Sequence, residues 1–126
     1  MTTEITDLTI KIPDLAEGEI YLGGFIDGAG RVTHTILLPG DNDDAKWQAQ
    51  LDWAQSIGGD LPTLVELAVA FEKHRDQFKR DWYWSNQEDE DDTACAWYQS
   101  FSYGDQDYYR KDVSYCRARA VRRLSI

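Results

Sequence analysis

The stretch over residues 58–88, GGDLPTLVELAVAFEKHRDQFKRDWYWSNQE, constrains the fold more than any other part of the chain. Thr63, with Glu66 three residues on, has the spacing of a capping box, in which each side chain satisfies a backbone N–H at the other's position. Pro62 steers Leu61 away from helical backbone, so the chain enters the helix extended. Leu64, Leu67, Ala68 and Phe71 follow at i, i+3, i+4 and i+7 and predict a single apolar stripe. Trp82, Tyr83 and Trp84 then form an aromatic run suited to a strand. A capped amphipathic helix that delivers the chain to an aromatic strand needs a sheet to pack on. The stretch specifies a scaffold and contains no chemical signature.

The flanks extend that scaffold. Over residues 6–12, Leu8, Ile10 and Ile12 alternate with Thr9 and Lys11, the pattern of a half-buried strand that Pro13 ends. Residues 19–25 and 31–38 predict two strands joined by a turn at Asp27, Gly28 and Gly30, hence a hairpin. Asn42, Asp43 or Asp44 is placed to cap a helix over 45–57, with Trp47, Leu51 and Ala54 as its stripe and Gly58-Gly59 as its stop. Phe78 reads as an apolar anchor in a charged connector. Strands follow over 94–101 and 107–111 around the turn Tyr103-Gly104-Asp105. A last strand is predicted over 114–124, with Cys116, Ala118 and Ala120 inward and Arg117 and Arg119 outward. Trp84 and Trp97 are the expected core tryptophans. The pattern gives one α+β domain over residues 1–126: an N-terminal set of strands with a hairpin over 1–42, and a core over 43–126 with two helices against an antiparallel sheet.

Charge bounds the partners. The net charge is −10, and it is polarised: residues 1–109 sum to −15 and residues 110–126 to +5. An acidic body of this kind is unsuited to phosphate backbones, which need a basic footprint, so direct nucleic-acid binding is not expected. Solubility or a basic partner surface is. The N-terminus carries acids where a secretory signal carries bases, and no apolar run spans a bilayer, so no membrane partner is expected and the expected compartment is a cytoplasm. There Cys95 and Cys116 stay thiols unless they pair.

Few residues suggest chemistry. The run Glu88, Asp89, Glu90, Asp91 and Asp92 offers oxygen ligands of the kind calcium takes, but no glycine turn shapes it around an ion. Read without a metal, it is a solvated loop or a protein-binding loop that imitates phosphate charge. His34 and His74 lack the spacing of a zinc pair and read as surface residues. No Gly-x-Ser-x-Gly occurs, and neither cysteine sits in a sequence context that would activate it. No enzyme and no cofactor is expected. The aromatic residues Trp82, Trp84, Trp97, Tyr98, Tyr103, Tyr108 and Tyr109 exceed what one small core holds. Strand alternation puts one ring of each neighbouring pair outside, where Tyr103 and Tyr109 are candidates to anchor a protein or stack on a sugar.

A helix bearing Trp47, the segment Gly-Gly-x-Leu-Pro-Thr-x-x-Glu-Leu from Gly58 to Leu67, the Tyr83-Trp84-Ser85 strand and the closing Arg119-Ala120-Val121-Arg122 together resemble the DUF1566, or Lcl C-terminal-like, domain. The resemblance covers residues 45–124. It implies a C-type-lectin-like fold, with the first forty residues as an added hairpin. Small stand-alone versions resemble phage and prophage accessory proteins. The calcium-loop motifs of sugar-binding lectins, Glu-Pro-Asn or Gln-Pro-Asp with Trp-Asn-Asp, do not occur in this chain. The resulting expectation is a non-enzymatic accessory protein in the cytoplasm of a bacterial host. It would bind a basic host protein through Glu88, Asp89, Glu90, Asp91, Asp92, Tyr103 and Tyr109, as an anti-defence, anti-CRISPR-like inhibitor competing with nucleic acid. A carbohydrate-binding lectin-like module is the alternative.

Overall fold

The computed structural model describes residues 9–125. Its strands are β1 (Ile20–Ile26), β2 (Val32–Leu37), β3 (Asn42–Ala45), β4 (Trp82–Glu88), β5 (Cys95–Ser100), β6 (Gln106–Arg110), β7 (Cys116–Ala118) and β8 (Val121–Ser125), and its helices are α1 (Trp47–Ser56) and α2 (Leu64–His74). The fold is α+β. One sheet has the order β1-β2-β8 and the other the order β3-β7-β4-β5-β6.

The residues explain the elements. Asp27 closes the β1–β2 turn, its Oδ1 accepting from the backbone N–H of Ala29 and Arg31 at 2.9 and 3.0 Å. Gly58, at φ +83°, stops α1 in a conformation that favours glycine. The capping box forms at the start of α2: the Glu66 N–H donates to Thr63 Oγ1 at 3.2 Å and the Thr63 N–H to Glu66 Oε1 at 2.8 Å. On β4, alternation sends Trp84 to one face of the five-stranded sheet and Tyr83 to the other. Trp84 joins Trp47 and Ala54 of α1 with Tyr98, Cys116 and Ala118. Tyr83 joins Leu67 and Ala70 of α2 with Leu22, Leu37 and Val121 of the smaller sheet. The helices therefore cover opposite faces, and α2 lies between the two sheets. Phe78 is the anchor its surroundings suggest, stacked on Phe101 with ring centroids 4.1 Å apart.

Several expectations are corrected. Of the strand predicted over 6–12, residues 6–8 lie outside the described residues, and residues 9–12 form no strand, with Ile10 and Ile12 about half exposed. Residues 42–44 do not cap α1. They belong to β3, which pairs with β7, while Lys46 takes the cap position with no side-chain hydrogen bond. The stripe on α2 is rotated: Leu67 and Ala70 are buried with Glu66, and Ala68 is exposed. The cause is Glu66, drawn inward by Thr35 and Arg123. The last strand splits after Ala118 into β7 and β8, which serve different sheets. The larger sheet is mixed, because β4 and β7 run parallel where Tyr83 meets Arg117. The β1–β2 hairpin is no appendage, since β8 pairs along β2. Trp97 is only half-buried and packs on Tyr108, leaving Tyr98 as the core ring of β5.

Candidate interaction face

The acidic run forms the turn between β4 and β5. Glu88 ends β4 opposite Ala96, and its carboxylate holds Lys111 Nζ at 3.1 Å. Asp89 Oδ1 and Asp92 Oδ1 accept backbone N–H groups within the turn, from Asp91 at 3.4 Å and Ala94 at 3.1 Å. Glu90 and Asp91 face solvent. These carboxylates shape a hairpin, and among the described residues no three histidine, cysteine, aspartate or glutamate side chains are grouped to hold a metal ion.

The predicted site residues do not converge. Tyr109 lies across the strands from Glu88, both paired to Ala96. Tyr103 stands at the other end of β5, 87% exposed, in a turn where Gly104 packs so closely on Phe71 that a Cβ would lie 2.6 Å from the ring. The acidic run and Tyr103 thus lie at opposite ends of β5. Tyr109 belongs to a row of rings: Trp82 stacks on Tyr98 at 4.5 Å, Tyr109 follows at 6.4 Å from Trp82, and Tyr115 at 5.9 Å from Tyr109. Tyr98 is buried, Trp82 half-buried, and Tyr109 and Tyr115 are 40% and 56% exposed. Tyr108 faces the other way, towards Trp97, and is exposed as well.

Carboxylates flank the row. Asp81 precedes Trp82. Asp107 sits opposite Tyr98 and on the same side of β6 as Tyr109. Burial raises the Asp44 pKa, and the neighbouring charge of Asp81 raises it further. Burial also pushes the Tyr98 hydroxyl up to about 12, with Asp107 and Asp105 adding to it. The Cys116 thiol is pushed up by burial and then by Asp44 and Asp81, so it is an inert core thiol. Cys95 is raised as well, by burial first and then Asp92, and both cysteines are free.

The basic C-terminal segment is consumed by the fold. Arg110 pairs with Asp112 at 2.6 Å, Lys111 with Glu88, Arg117 with Asp41 at 2.7 Å and Asp43 at 2.8 Å, Arg122 with Glu19 at 2.8 Å, and Arg123 with Asp60 at 2.8 Å and Glu66 at 2.7 Å. Arg119 donates to the carbonyls of Gln77 at 2.5 Å and Leu38 at 2.8 Å. Arg117 and Arg119, expected outside, are buried; this is possible because planar guanidinium forks find acceptors on several elements at once. Tyr83 donates to Asp41 beneath Arg117, and burial, then Asp41, raises its pKa. His34 is likewise not a surface residue, being 5% exposed with Nδ1 2.6 Å from Tyr21 Oη.

Sequence reasoning missed Tyr115, Asp44 and Asp81. Tyr115 falls on the outward side of the strand predicted over 114–124, but nothing local shows that its ring meets Tyr109, and Asp44 reads as a helix cap until β3 is seen. Among the described residues no helix is long and apolar enough to cross a membrane. No protein-family model matches this chain, and no curated protein matches it in sequence.

Proposed function

We propose that this protein is a non-enzymatic interaction module that docks on a basic protein surface, one that otherwise holds phosphates. The observation that carries the reading is the internal pairing of all six bases after residue 109. With those cations committed, the solvent meets mostly carboxylates, interleaved with exposed tyrosines. Such a surface repels nucleic acid and attracts proteins that bind it. The phage or prophage origin, the bacterial cytoplasm, the anti-defence role and the C-type-lectin-like reading of the scaffold belong to the same proposal and rest on the resemblance in residues 45–124.

The test uses the whole protein as bait in a bacterial lysate, with mass spectrometry to identify captured proteins. Binding to each is then measured at rising salt, with and without competing DNA. The expected partner is a nucleic-acid-binding protein whose association slows as salt rises and which DNA displaces. Salt-independent capture of proteins with no basic surface would sink the reading. The exposed rings favour one second reading, stacking on a sugar, and a glycan array would reveal it as salt-insensitive binding that Tyr109→Ser removes.

A further inference from the structure

We infer that the docking face is the ring row of Trp82, Tyr109 and Tyr115 with the carboxylates of Asp44, Asp81 and Asp107, and that it captures arginine side chains of a protein segment. This rests on the reading above and narrows it from an acidic molecule to one face and one side-chain chemistry.

The rings come first. Trp82, Tyr109 and Tyr115 follow one another with ring centroids 6.4 and 5.9 Å apart, the successive planes tilted by 47° and 59°. Tyr109 and Tyr115 stay well exposed while Tyr98, stacked on Trp82, is buried. Trp82 packs against the core that Trp47 and Ala54 of α1 join, and the row runs from there to the exposed Tyr109 and Tyr115. Charge selects the occupant. Arg117, whose charge acts on Asp44, is already committed to Asp41 and Asp43. An incoming cation therefore finds carboxylates beside rings. The fold uses the same pairing internally: Lys111 Nζ sits 4.5 Å above the Trp47 ring while holding Glu88, and the Arg75 guanidinium lies 4.0 Å above Phe71.

Arginine suits the face better than lysine, because a guanidinium stacks flat on a ring and offers paired donors to a carboxylate. A second copy suits it poorly, since a twofold pairing would set these carboxylates against themselves. Strand addition on β6 is also disfavoured, because the Tyr108 N–H is already taken by Asp107 Oδ1 at 2.8 Å. The partner meets the face of the sheet and leaves its edge alone.

The experiment titrates the full chain with a short oligo-arginine peptide and an oligo-lysine peptide of equal length, reading tryptophan fluorescence and heat. The arginine peptide should bind several-fold tighter. Tyr109→Ser with Tyr115→Ser should weaken it about tenfold, in line with the loss of two ring contacts, and abolish the preference over lysine. Tyr109→Phe with Tyr115→Phe should restore both. Asp44→Asn with Asp81→Asn should weaken both peptides without touching the rings, and serves if the serine variant fails to fold. Asp89→Asn with Asp91→Asn and Asp92→Asn should change little. Equal affinity for the two peptides and an unaffected serine variant overturns the inference. Binding lost only in the loop variant also overturns it while leaving the general acidic reading intact. No binding of either peptide ends both. A dimer in sedimentation that the serine variant dissolves would assign the face to a second copy and overturn the inference as well.

Discussion

Glu66 ties α2 to β2 through Thr35 and to β8 through Arg123. It caps α2, accepts from Thr35 Oγ1 at 2.6 Å and receives Arg123 through both oxygens. Thr63→Ala removes only the cap and should cost about 1 kcal/mol in urea unfolding. Glu66→Gln retains a capping side chain but leaves Arg123 short of its partner, and should cost about 3 kcal/mol. The same residue sets an acid limit. Burial alone would raise the Glu66 pKa, but the hydrogen bonds from Arg123, Thr35 and Thr63 outweigh burial and hold it below 4.5. Arg122, then the Ala16 N–H, hold Glu19 at about 2. Both folded pKa values lie below the unfolded one, so the stabilisation is complete above it and is lost as pH falls through the folded values. Thermal midpoints should hold steady down to about pH 5 and fall between there and about pH 2. The double variant Glu66→Gln, Glu19→Gln should show a shallower fall; an equally steep one would place the acid limit elsewhere.

The elements show what local pattern can reveal. The capping box, the Gly58 stop and the inward Trp84 depend on neighbours within a few residues, and each was legible in the sequence. What was not legible depends on long-range partners: the rotation of α2 answers to Arg123, and the strand at residues 42–45 answers to β7 more than 70 residues on. The candidate face was half legible for the same reason. Tyr109 stood out as an outward ring, but its neighbour Trp82 arrives from β4, and Tyr115 meets it only through the turn between β6 and β7. Two measurements check the corrected packing. Trp84→Ala, at a fully buried ring whose Nε1–H donates to the Ala45 carbonyl at 3.0 Å, should cost about 3–5 kcal/mol, and Trp97→Ala clearly less. Lys46→Ser should stabilise the protein by about 1 kcal/mol, because α1 begins without a side-chain cap. A neutral result there would mean that the first turn of α1 is satisfied in another way.

At the scale of the whole molecule, the bases after residue 109 are bonded within the fold, while most carboxylates face solvent. Because no described carboxylates are grouped to hold an ion, millimolar calcium or a chelator should leave the melting temperature unmoved; a clear rise with calcium would show binding to the native state. The order of strands has a consequence for how the protein is made. β7 lies inside the larger sheet, between β3 and β4, and β8 completes the smaller one. A nascent chain that has emerged only as far as residue 115 therefore exposes β3 and β4 without the strand that joins them, and β2 without its third neighbour. It should be held by chaperones or degraded rather than fold in stages. Translation arrested on either side of β7 and β8, read by protease resistance on the ribosome, should show protection arriving in one step, with the whole domain closing at once.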